Sequence, residues 1–139
     1  MIKMPMTYDE WERTVPKSIS SDPLWGFDIY RKALFLADLA WIDCDKLIDD
    51  RKGRSLVHQL INSAGSVAAN IEEGYGRGFG KDYARFQRIA LGSAREVRGW
   101  YYRTRHVFGP ETIDHRMNLL DEIVAGLVLA SKMQRNDTS

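Results

Sequence analysis

The feature that most constrains this chain is the spacing of its apolar side chains. They recur every three or four residues through four stretches and nowhere alternate for long. At about 100° per residue, such spacing collects apolar groups on one side of an α-helix, whereas a half-buried strand needs strict alternation. In the third stretch Tyr83, Phe86, Ala90, Ser93, Val97, Trp100, Tyr101, Thr104 and Phe108 share a side. Ile113, Met117, Leu120, Val124, Leu127 and Val128 do so in the fourth, and Leu56, Leu60, Ala64, Val67, Ala68 and Ile71 in the second. The first carries Trp25, Ile29, Ala33, Leu36, Ala37, Ala40, Cys44 and Leu47. No Asn-Gly or Asp-Gly hairpin turn interrupts them.

Punctuation sets the boundaries. Asp22-Pro23 reads as an N-cap followed by proline at the first helical position, and the helix it opens should run to about Asp50. Ser55 is placed to cap a second helix lasting to Gly74. Four glycines in the seven residues 74–80 then break regular structure. A third helix is expected from about Lys81 to Gly109, and Pro110 opens a fourth that lasts to about Met133. Short connections between amphipathic helices specify an all-α, antiparallel up-down-up-down four-helix bundle. Residues 1–22 form a leader before the bundle of residues 23–133, and 134–139 read as a flexible tail. Tyr8, Trp11 and Val15 give the leader a short amphipathic segment that ends at Pro16.

Besides its main stripe, the first helix carries a second, smaller one roughly opposite, formed by Leu24, Phe35, Leu39 and Ile42. An aligned apolar stripe left over by the bundle marks either an interface between copies of the chain or the seat of the leader. We take the interface as the expectation.

Catalytic and metal chemistry find little support. His58, His106 and His115 sit on three different segments without partners at ligand spacing, and no Glu-x-x-His pair of the di-iron bundles occurs. The one cysteine, Cys44, falls on the apolar stripe of the first helix, as a buried structural thiol does. A single cysteine forms no internal disulfide, so a reducing, cytoplasmic setting is expected. No apolar run approaches the roughly 20 residues of a membrane span. The expectation is a chain that is not an enzyme and needs no cofactor or metal. The glycine-rich loop resembles a phosphate-binding loop but follows a helix and lacks the closing Lys-Ser/Thr, so its expected role is a turn.

Charge carries the strongest functional signal. Twenty basic against nineteen acidic residues give +1, yet residues 77–106 hold eight basic and two acidic side chains. Lys81, Arg85, Arg88, Arg95 and Arg103, with His106, lie within about 40° of one line on the third helix, away from its apolar side. Arg77 precedes them in the loop. Arginine's planar fork of donors suits phosphate. These six cations, Arg77, Lys81, Arg85, Arg88, Arg95 and Arg103, are the candidate nucleic-acid-binding residues, for RNA or single-stranded DNA. An acidic partner protein and a merely solvated face are the alternatives.

On the second helix Gln59, Ser63, Ser66, Asn70 and Glu73 follow one another at four, three, four and three residues. This polar seam reads as a structural feature that brings helices close and fixes their register, with Glu73 placed to pair with an arginine.

The same residues carry a family resemblance. Gln59, Ser66, Asn70-Ile71-x-Glu73-Gly74 and Arg77, followed by Phe86, Ala90-x-Gly92-Ser93-x-x-Glu96, closely resemble the bacterial four-helix-bundle proteins of the rRNA intervening-sequence, or ribosomal-protein-like, family. The resemblance covers about residues 24–130. It implies a cytosolic homo-oligomer, typically a ring of five bundles, and no catalytic residues. The architecture is also similar, more distantly, to the accessory bundle proteins of diversity-generating retroelements, which bind nucleic acid and reverse transcriptase.

Overall fold

A computed structural model describes residues 7–136. Within them every regular element is helical: α1 (Tyr8–Glu12), α2 (Lys17–Ser20), α3 (Asp28–Asp49), α4 (Val57–Tyr75), α5 (Lys81–Arg103) and α6 (Pro110–Arg135). The four long helices pack around one core that includes Leu36, Leu47, Leu60, Ile71, Val97, Tyr101, Leu120 and Leu127. Contacts between neighbours run in opposite senses along each pair. Tyr30 meets Glu72 and Cys44 meets Val57 across α3 and α4. Arg98 meets Asp121 across α5 and α6, while Asp43 meets Arg116 across α3 and α6. The bundle is therefore all-α, and it closes between its first and last long helices. Gly74 lets α4 and α5 touch: a Cβ there would stand 2.7 Å from Phe86 Cβ.

The helix boundaries differ from the expected ones for local reasons. Asp22 does cap, accepting from the Leu24 N–H at 2.9 Å, but it caps a 3₁₀ turn over Pro23–Gly26. Extended backbone at Phe27 then redirects the chain, and α3 begins at Asp28. Ser55 does not cap α4; its hydroxyl donates to the Lys52 carbonyl at 2.8 Å. Asp50 closes that corner instead, accepting from the N–H groups of Lys52 and Gly53 at 3.0 and 2.7 Å. α5 stops at Arg103, and its Thr104 hydroxyl donates back to the Trp100 carbonyl at 2.8 Å. Phe108 stays buried although the helix has ended. Gln134 and Arg135, assigned above to a tail, belong to α6, and the Gln134 side-chain oxygen accepts from the Gly80 N–H at 2.9 Å. Residues 1–6 of the leader and 137–139 of the tail lie outside the described residues.

The larger correction concerns the second stripe of α3. Leu24, Phe35 and Leu39 are buried within this chain, and Ile42 is half-buried. The leader covers Phe35. Trp11 is 2% exposed; its indole ring lies 5.3 Å from Phe35 and its N–H donates to Asp38 at 2.7 Å. Tyr8 meets Phe35 edge-on at 5.5 Å, and its hydroxyl accepts from Arg31 Nε at 3.1 Å. Burial of apolar and aromatic surface against a chain's own leader removes the stripe from the surface. It is not an open interface between copies.

Candidate functional site

The sharp turn before α5 uses left-handed backbone at Gly78 (φ 99°) and Gly80 (φ 87°), a region that glycine enters without strain. Lys81 therefore stands at the first position of α5 and Arg85 one turn later. Cations at that end oppose the helix dipole, by about 0.3–1 kcal/mol for each charge. Asp82 offsets part of this; its carboxylate lies 3.5 Å from Arg85.

Lys81, Arg85, Arg88 and Arg95 converge on an open groove of about 670 Å3, and Arg135 reaches it from the last turn of α6. Ala84, Ile89, Leu91 and Gly92 supply its apolar lining, and no carboxylate lines it. Ile89 is 42% exposed. Lys81, Arg88 and Arg95 make no ion pair among the described residues, so three of the groove's four α5 cations face solvent uncommitted. Gly92 has no packing reason to be glycine, because a Cβ there would meet nothing within 4 Å.

The other two candidate cations stand outside this groove. Arg77 pairs with Glu73 at 3.0 Å and Asp82 at 3.8 Å, and its guanidinium carbon lies 4.9 Å from the centre of the Phe86 ring. Arg85 sits over the same ring at 4.5 Å. Arg103 stacks on Trp100 at 4.9 Å, near the opposite end of α5. All of these cations are exposed. An exposed pair contributes about 0–1 kcal/mol, so Arg77 and Arg85 are only weakly held.

In the polar seam, one bond crosses between helices: Ser66 and Ser93 hydroxyls meet at 2.8 Å. Asn70 donates to the Ser66 carbonyl and hydroxyl at 2.8 and 2.9 Å, and Ser63 to the Gln59 carbonyl at 2.8 Å. Glu73 pairs with Arg77 of the loop, not with an arginine of α5.

Sequence reasoning missed four features. Arg135 was hidden by the early end assigned to the fourth helix. Ile89 falls on the flank of the arginine line. Trp41, 68% exposed on α3 with Ile48 one heptad on, belonged to neither apolar stripe. The fourth is a buried network. Arg116 donates to both Asp43 oxygens, from Nε at 2.7 Å and Nη2 at 2.8 Å, and the Tyr101 hydroxyl donates to Asp43 at 2.7 Å. Burial, then the Asp43 charge, keep Tyr101 protonated far above its ordinary range. Its signal was spacing: Arg116, Leu120, Ile123 and Leu127 share the buried side of α6. Burial likewise pushes the Cys44 thiol up to about 11, helped by Asp43 and Asp45. No group of three metal-binding side chains occurs among the described residues, nor does a helix long and apolar enough to cross a membrane.

Fold and groove together define an all-α bundle with its leader folded into the core and a carboxylate-free cationic groove at one end of α5. The family model described as 23S rRNA-intervening sequence protein matches residues 26–128, and the chain belongs to that family. No curated protein matches the chain.

Proposed function

We propose that this protein is a cytoplasmic, non-enzymatic bundle that holds a nucleic-acid strand, RNA or single-stranded DNA, in the groove along α5. The observation that carries this reading is the convergence of Lys81, Arg85, Arg88, Arg95 and Arg135 on one groove without a carboxylate in its lining. Apart from the contacts of Arg85 with Asp82 and Phe86, the α5 cations of this cluster have no charge partner among the described residues, and like charges held together cost stability unless a polyanion neutralises them. Guanidinium forks bind phosphate oxygens, while Ile89 offers an apolar contact for a base or ribose. The family's printed description, a protein of the 23S rRNA intervening sequence, agrees with an RNA setting. Arg85→Glu with Arg88→Glu should abolish binding of a labelled single-stranded RNA and leave the assembly mass unchanged.

A second reading has its own observation. The outward side of α3 exposes Trp41 and Ile48 next to Asp45 and Asp49. A large exposed indole beside carboxylates suits self-association, here in a ring of five copies as the family resemblance implies. In this reading a neighbour's acidic α3, or an acidic partner protein, occupies the arginine groove and the protein is an assembly scaffold. Trp41→Lys should then dissociate the assembly, and the Arg85→Glu, Arg88→Glu variant should dissociate it too. Loss of assembly in that arginine variant counts against the nucleic-acid reading.

A further inference from the structure

The bundle has a second basic groove, at the far end of α5, of about 630 Å3. Arg51, Lys52 and Gly53 of the α3–α4 corner form one wall; Arg103, the last residue of α5, with Thr104 and His106 beyond it, forms the other. Arg51 and Lys52 are exposed and make no ion pair among the described residues. The one carboxylate in the lining, Asp50, is engaged by the N–H groups of Lys52 and Gly53 at 3.0 and 2.7 Å. The Thr104 hydroxyl is turned inward to the Trp100 and Tyr101 carbonyls. Three permanent cations against one carboxylate leave the groove positive.

Arg103 joins the two grooves. It ends the line that Lys81, Arg85, Arg88 and Arg95 begin, and it is also a wall of the second groove. Gly92 and Gly99 lie on this line, and the exposed Glu96, whose carboxylate accepts from the Trp100 indole N–H at 3.1 Å, flanks it with one negative charge. Resting on the reading of the first groove, we propose that the second is a further phosphate-binding site on the same strand, so that one nucleic-acid strand spans α5 from end to end. Lys81 and Arg103 are separated by about 33 Å at 1.5 Å per residue. A stacked strand advances about 3.4 Å per nucleotide, so occupying both grooves takes roughly ten nucleotides. A mononucleotide or a free phosphate fills one groove only. The ligand class is thus an oligonucleotide segment of one helical turn's length, selected by the separation of the two sites.

The test compares labelled oligouridines of about four and about twelve nucleotides, the shorter too short to bridge the grooves. Wild-type protein is measured beside Arg51→Glu with Lys52→Glu, and beside Arg13→Glu with Lys17→Glu, which changes net charge equally on the leader. Wild-type protein should bind the longer strand at least about tenfold more tightly, with a log–log salt slope steeper by about 1.4 or more for the added contacts. The corner variant should lose that gain and keep the affinity for the shorter strand; the leader variant should keep both. An unchanged length gain in the corner variant, or an equal loss at both lengths, overturns the second site while the first groove stands. No binding by wild-type protein at either length overturns the nucleic-acid reading and this proposal with it.

Discussion

Arg116 of α6 grips Asp43 of α3 through two hydrogen bonds of 2.7 and 2.8 Å, and both side chains are 10% exposed. Tyr101 of α5 donates to the same carboxylate, so one buried anion fastens three of the four long helices. Removing one partner strands a buried charge, which costs about 3–5 kcal/mol, whereas replacing a whole pair by apolar groups is often neutral. Arg116→Met should therefore lower the urea unfolding free energy by about 3–5 kcal/mol. Adding Asp43→Leu should recover most of the loss. Equal destabilisation by the single and double variants contradicts this account.

His115 adds a pH dependence to that network. Burial against Phe35, then the Arg116 guanidinium, push its pKa below 6.5, outweighing the opposing effect of Asp43. The unfolded chain therefore takes up a proton that the folded chain resists, so the stability from this group is complete above about pH 6.5 and is lost as pH falls through the lower folded value. Unfolding temperature should drop from pH 7 to pH 5 more steeply in wild type than in His115→Gln. Parallel pH profiles refute the assignment.

The leader is part of the core. Trp11→Ala should cost about 3–5 kcal/mol, the range for truncating a buried aromatic side chain. It should also raise binding of a hydrophobic dye, because Phe35 loses its cover. A variant with unchanged stability would mean that the leader rests on the bundle without holding it.

Gly92 separates stability from function. Glycine inside a helix costs about 1 kcal/mol relative to alanine, and here a Cβ meets no neighbour within 4 Å. Gly92→Ala should stabilise the protein by about 0.5–1 kcal/mol in thermal or urea unfolding. It should weaken RNA binding as well, because the methyl group stands in the groove lining. Tighter binding, or no gain in stability, contradicts the role given to this glycine.

The four long helices were legible because their apolar spacing is the same signal that tertiary packing uses. Their ends were less so, since ends depend on partners distant in sequence: Gly80 and Gln134 meet only once α5 and α6 lie antiparallel. For that reason Arg135 was assigned to a tail although it lines the groove. Lys81, Arg85, Arg88 and Arg95 were found together because one helix carries them all. Arg77 and Arg103 share their charge but not their groove. The stripe of Leu24, Phe35 and Leu39 was read correctly as needing a cover and wrongly as an interface, because periodicity shows that a face is apolar but not which segment lies on it. Trp41 went unnoticed because a single large side chain is no period.

The central claim is that α5 presents a phosphate-binding groove, and its most direct test is the salt dependence of single-stranded RNA binding. Fluorescence anisotropy with a labelled strand of about twenty nucleotides, repeated at several salt concentrations, gives the number of phosphates contacted. Five groove cations predict a log–log slope of about −3.5 or steeper, at roughly 0.7 per phosphate. No binding at low salt, or binding that salt leaves unchanged, would contradict the account and direct the search to an acidic protein partner.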